Sequence, residues 1–175
     1  MNKHYEKIES LGAFREGLQW LEGKDDNWYN ECERGDWLAC LVAKLFDRKA
    51  VCLALCEIVE TVLHLVPEVE ERPRIAIETT RKWCIGDATL DEVKDAVYDA
   101  YAAASDNSSY ALIAAYAASE TAYTSDAVAA THVSDAAHFS ACATGSTQSL
   151  LLKYADIIRS HFPWVVVREK LENED

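Results

Sequence analysis

The chain holds 175 residues, half of them apolar, and carries 30 Asp and Glu against 17 Lys and Arg for a formal net charge of −13. That length and apolar fraction suit a single domain spanning 1–175 whose core needs no disulfide or metal staple, and the charge excludes sequence-independent binding to a nucleic-acid backbone, which depends on Lys and Arg releasing counterions. Scarce Gly and Pro, abundant Ala and one short β-branched run, Val165-Val166-Val167, exclude a sheet-rich fold and point to an all-α bundle of about seven to nine helices.

In chain order, Ile8, Leu11, Phe14, Leu18 and Leu21 form an apolar stripe over one helix or a helix pair, with Gly12 as a break. Asp26 or Asn27 can cap a short helix carrying Trp28, Tyr29 and Cys32. Gly35 then reads as a stop and Asp36 as the N-cap of a central helix bearing Trp37, Leu38, Leu41, Val42 and Leu45. Asp47 caps the next helix, expected from Arg48 to about Leu65 and ended by Pro67. Pro73 fits the first turn of a further helix that Gly86 terminates. Thr89 and Glu92 form a capping box, in which hydroxyl and carboxylate each satisfy an amide orphaned at a helix start.

From Ala96 to Ala143 more than a third of the residues are alanine, with Tyr98, Tyr101, Tyr110, Tyr116 and Tyr123 recurring among them. Two or three closely packed helices are expected there, broken near Asn107, Ser125-Asp126 and Gly145. Ser146 or Thr147 caps a last long helix ended by Pro163, a short helix follows from Trp164, and the acidic residues 172–175 fray, leaving a core over 13–162.

No apolar run reaches about 18 residues and no charged-then-apolar leader opens the sequence, so a cytoplasmic protein is expected. The six cysteines sit mostly among Leu, Ala and Val and are expected as reduced packing residues, Cys52 and Cys56 included. His132, Asp135 and His138 recur by threes, but such steps drift around the helix by about 60° each, so neither a metal nor any other cofactor is expected. No serine elbow, phosphate-cradling glycine loop or cysteine–histidine motif is present, and the chain is expected not to be an enzyme.

Arg34, Arg48, Arg72 and Arg74 lie at helix starts or in loops, where arginines and helix N-termini can hold an anion. With Trp28, Trp37 or Trp83 nearby, the set would stack a base and clamp the phosphate of a small nucleotide. The alternative is that these arginines pair with Glu33, Asp47, Glu71 and Glu78 and stitch loops together.

The strings ECERGDWLACLVAKL, DRKAVCLALC and ERPRIAIETTRKWCIGDATLDEV, followed by the Ala-Tyr-rich stretch, resemble the bacterial and phage-encoded Imm-5-like immunity protein family over about residues 13–151. The chain departs from the family pattern at DWLAC, at SDNSS, and at His132 and His138. The resemblance implies a cytosolic immunity-type inhibitor that binds and neutralises a cognate toxin or effector stoichiometrically, and the acidic charge suits fast association with a basic partner. The alternative is a phage counter-defence protein that sequesters a nucleotide signal or inhibits a host defence protein. A homo-oligomer pairing its tyrosine-bearing helices is left open.

Overall fold

A computed structural model describes residues 2–12, 15–106, 110–123, 126–143 and 147–173; within the helices, the side chains of 15, 104–106, 110–112, 126–131, 133 and 134 are not described. Phe14, the breaks at Asn107, Ser125 and Gly145, the Ser146 cap and the end of the acidic tail lie outside the described residues.

Among the described residues eleven α-helices follow one another: α1 (Tyr5–Ser10), α2 (Arg15–Leu21), α3 (Trp28–Glu31), α4 (Gly35–Leu45), α5 (Arg48–Glu60), α6 (Arg72–Ile85), α7 (Leu90–Asp106), α8 (Tyr110–Glu120), α9 (Asp126–Cys142), α10 (Thr147–His161) and α11 (Trp164–Glu172). No strand occurs among the described residues, so the chain is all-α. The helix number exceeds the seven to nine expected, and two of the eleven are very short, α1 with 6 residues and α3 with 4.

The local signals act as their chemistry requires. Asp47 accepts from the Ala50 amide at 3.1 Å, and Gly86 turns left-handed at φ 91° while its amide and that of Asp87 return to the carbonyls of the last turn of α6. In the capping box the Thr89 amide donates to Glu92 Oε2 at 2.7 Å and the Glu92 amide to Thr89 Oγ1 at 3.2 Å. Gly12, at φ 74°, separates α1 from α2.

Two expectations fail. α5 stops at Glu60: Thr61 turns its hydroxyl onto the Ile58 carbonyl at 2.7 Å and the chain leaves through a 3₁₀ turn, Leu63–Leu65, whose carbonyl at Leu63 is taken by Arg74. Asp36 is no cap: α4 begins at Gly35 with Arg34 in the N-cap place, and Asp36 is buried inside the first turn. Gly35 is set by packing. A Cβ there would lie 2.5 Å from Tyr154 Cβ and 2.6 Å from the Ala155 nitrogen, so glycine lets α4 touch the backbone of α10.

α4 packs between α9 and α10, α5 rests against α6, α8 and α9, and α7 spans α6 and α8. One buried cluster runs from Ile8 through Tyr29, Leu38, Leu55 and Ile77 to Tyr154 and Leu171, taking in Ala114, Ala115, Ala117 and Ala118 of α8 and Ala136, Ala137 and Ala141 of α9. Alanines let α8 and α9 approach closely, and their burial on several sides explains the lack of an amphipathic pattern in both helices. A smaller cluster of Cys52, Val93, Val97 and Ala122 lies beneath Trp83, Tyr116 and Tyr123. It forms the floor of the face described next.

Candidate functional site

The arginines and tryptophans singled out from the sequence fall into separate groups. Arg34 grips Asp36 with two bonds, at 2.9 and 2.6 Å, and its guanidinium lies 4.3 Å over the Trp37 ring. Trp37 and Trp28 line one small apolar crevice of about 30 Å³ with Ile8, Trp20 and Leu21. Arg34, Trp28 and Trp37 therefore do share a corner, but Trp28 is only 4% exposed and its ring N–H donates to His4 Nδ1 at 3.3 Å. Of the two rings, Trp28 therefore has no edge in solvent, whereas Trp37 is half-buried.

At the start of α6, Arg72 holds Glu70 at 2.7 and 2.5 Å. Arg74 donates to the carbonyls of Leu63, Val66, Pro67 and Glu70, closing the loop that precedes its helix. Arg48 opens α5, and Trp83 sits in the smaller apolar cluster with the Lys49 ammonium 5.1 Å over its ring. A phosphate clamp built from Arg34, Arg72 and Arg74 would have to break these contacts first. Arg34, Arg72 and Arg74 stitch loops together through Asp36, Glu70 and backbone carbonyls.

The histidines of α9 turn to different helices. His132 Nδ1 lies 3.3 Å from Glu120 of α8, and His138 Nδ1 lies 4.0 Å from Asp36 of α4, with Cys142 Sγ 3.5 Å from its other nitrogen. Among the described residues no three His, Cys, Asp or Glu side chains group as a metal site would require.

Between α7 and the α8 end lies an open groove of about 410 Å³, lined by Lys94, Val97, Tyr98, Tyr101, Tyr116 and Tyr123. The helical spacing of Tyr98 and Tyr101 places both rings on one side of α7, where they are 75% and 53% exposed. Tyr101 meets Tyr116 across the helix pair at 5.2 Å between centroids, tilted by 52°. Val97 anchors the floor, fully buried against the smaller core cluster. The outer surface of α7 is acidic: Asp91, Glu92, Asp95 and Asp99 are exposed, and the one lysine, Lys94, is paired with Asp91 at 2.9 Å.

Behind the tyrosines stands Glu120. Its Oε2 is sealed from solvent and unbonded, although His132 lies 3.3 Å away. Burial first, then the hydrogen bond to Glu120, pushes the Tyr116 hydroxyl far above the usual phenol range, and burial with the Glu120 charge raises Tyr123 too. Both are neutral phenols near pH 7, as any tyrosine with an unlowered pKa is, and Tyr116 links the groove to the Glu120 carboxylate through its hydroxyl.

The sequence marked these tyrosines as a repeat and not as a site. The i, i+3 spacing of Tyr98 and Tyr101 was the available signal, since it places both on one face of α7; Tyr123 lies in the turn after α8, where helical spacing says nothing of its direction. Glu120 and Lys94 gave none.

The fold and this surface define a class, an all-helical protein with an aromatic, acidic face. The chain belongs to the family described as "Imm-5 like putative immunity protein", which it matches over residues 43–158. The RPRIAIET and W-x-x-G-x-A-T strings and the whole groove fall inside that stretch, whereas the RGDWL corner precedes it. No curated protein and no solved structure matches the chain.

Proposed function

We propose that the chain is a cytosolic immunity-type inhibitor that binds a cognate toxin or effector protein stoichiometrically, without catalysing a reaction, and that the groove of α7 and α8 meets that partner. Family membership supports the immunity role. The observation that carries the choice of surface is the exposure of Tyr98 and Tyr101 together, two large rings held in water on a rigid helix. Tyrosine supplies wide contact area with few rotatable bonds and is enriched where binding energy concentrates. The net charge of −13 and the acidic outer surface of α7 steer a basic partner toward this face.

The test is co-expression with the product of the neighbouring gene. The wild type is expected to co-purify with it at a fixed ratio and to restore growth, and the double variant Y98A/Y101A to lose capture by tenfold or more, roughly what two interfacial rings are worth. Unaltered capture by the double variant would remove the groove from the interface. Absence of both capture and protection for the wild type would overturn the inhibitor reading.

A further inference from the structure

We infer that the groove between α7 and α8 is an aromatic cage for an arginine side chain presented by the protein partner, with the Glu120 carboxylate behind it as counter-charge. This inference rests on the groove being the partner face and names the chemistry recognised there.

Three features favour a guanidinium. The first is the shape and lining: Tyr98, Tyr101, Tyr116 and Tyr123 line about 410 Å³ that opens to solvent, ample for a planar cation lying over the rings. Aromatic faces carry negative quadrupole potential and attract cations within about 6 Å of the ring centre. Arginine suits this better than lysine, because its flat, weakly hydrated head stacks on a ring and loses less on leaving water.

The second is the charge behind the rings. Glu120 is largely buried, its Oε2 is sealed and unbonded, and the Tyr116 hydroxyl donates to the carboxylate. A phenol hydrogen-bonded to a carboxylate keeps its proton while its ring becomes more electron-rich, which strengthens attraction for a cation above it. His132 Nδ1 lies 3.3 Å from Oε2 without completing a hydrogen bond to it, so the Tyr116 hydroxyl is the carboxylate's hydrogen-bond donor from the groove side. A neutral apolar ligand would gain nothing from this arrangement.

The third is the rim. Asp95 stands one turn before Tyr98 and Asp99 directly after it, both exposed, so the approach to the cage is negative. Lys94, the one cation lining the groove, is held by Asp91 at 2.9 Å, which offsets its charge where it would otherwise repel an incoming guanidinium.

The experiment follows tyrosine ring resonances by NMR in the full chain during titration with N-acetyl-argininamide, with the uncharged isostere N-acetyl-citrullinamide as control. Arginine is expected to shift the rings of Tyr98, Tyr101 and Tyr116 saturably and to bind roughly threefold or more tighter than citrulline. The exposed double variant Y98A/Y101A should abolish the response, and D95N/D99N, which leaves the core untouched, should weaken it. Equal response to arginine and citrulline, or an arginine response that persists in Y98A/Y101A, would overturn the cage. If Y98A/Y101A loses the partner protein while the wild type ignores arginine, the cage falls and the partner surface stands; if the wild type binds arginine but the variant still captures the partner, the cage is independent of the inhibitor interface and the inference as stated falls.

Discussion

Single residues in this molecule are decided by what approaches them. Gly35 looks like a helix stop in the sequence, yet it opens α4 because α10 lies against it, with Tyr154 Cβ, the Ala155 nitrogen and the Leu151 carbonyl at 2.5, 2.6 and 2.7 Å from where a Cβ would stand. Two of those three atoms are backbone and cannot rotate away, so G35A should cost on the order of 3 kcal/mol or more by urea unfolding, toward the upper end for an overpacked core; a loss under about 1 kcal/mol would mean the helices separate freely. Cysteine chemistry follows the same logic. Half-buried Cys84 takes a hydrogen bond from Cys52 and lies near Lys49 and Arg81, which hold its thiol below the usual range, whereas burial pushes the Cys40 and Cys56 thiols up. Mass-mapped alkylation with iodoacetamide at pH 7 should therefore label Cys84 before Cys40 and Cys56, since the thiolate is the reacting form; the reverse order would contradict that electrostatic setting. The caps at Asp47, Thr89 and Gly86 were legible because each is answered within four residues. The requirement at Gly35 was not, because it comes from a helix that starts over a hundred residues later.

Among the elements, the loop between α5 and α6 shows why one boundary was misread. The apolar period of Val51, Leu55, Ile58 and Val62 continues smoothly toward Leu65, and nothing local in it announces that the helix stops at Glu60. What holds the alternative is Arg74, whose guanidinium reaches four carbonyls between Leu63 and Glu70. A charged donor satisfying otherwise orphaned carbonyls is worth more than a neutral one. R74A is expected to destabilise the chain by about 1–3 kcal/mol, with faster amide exchange confined to residues 61–72, and R74K to recover little, since an ammonium cannot span four acceptors in fork geometry. Unchanged exchange in that loop would show that the 3₁₀ turn holds itself. The groove was half legible for a related reason. Period marks which tyrosines share a face of α7, but only the packing of α7 on α8 brings Tyr116 and Glu120 to them.

At the scale of the whole molecule, the two ends of the chain are fastened together. Asn2 donates to the carbonyls of Lys24 and Asp25 at 3.3 and 2.8 Å, and Lys3 pairs with Asp26 at 3.3 Å and with Glu172 of α11 at 2.9 Å. Beneath them His4 is buried against Trp28 and Trp164, accepting the Trp28 ring N–H on Nδ1 and facing Glu172 with Nε2 at 3.4 Å. Indole is a donor only, so the neutral ring must carry its proton on Nε2, directed at the carboxylate. Glu172 therefore serves two cationic or donating groups at once, and the hydrogen bond from Lys3 is the main cause that holds its carboxyl below the usual range. A carboxyl lowered in the folded state stabilises above its unfolded value near 4.5 and loses that contribution as pH falls through the folded one. The docking of α11 should thus loosen below about pH 4.5, seen as faster amide exchange over 164–172 and a change in Trp28 and Trp164 emission, while α5 and α8 stay protected. E172Q should show the loosened clasp already at pH 7 and remove the pH dependence; because the pairs are solvent-exposed, added salt should weaken the wild-type clasp toward the variant. An α11 that stays equally protected at pH 7 and pH 4 in both proteins would show that Trp164 and Val167 hold it by packing alone.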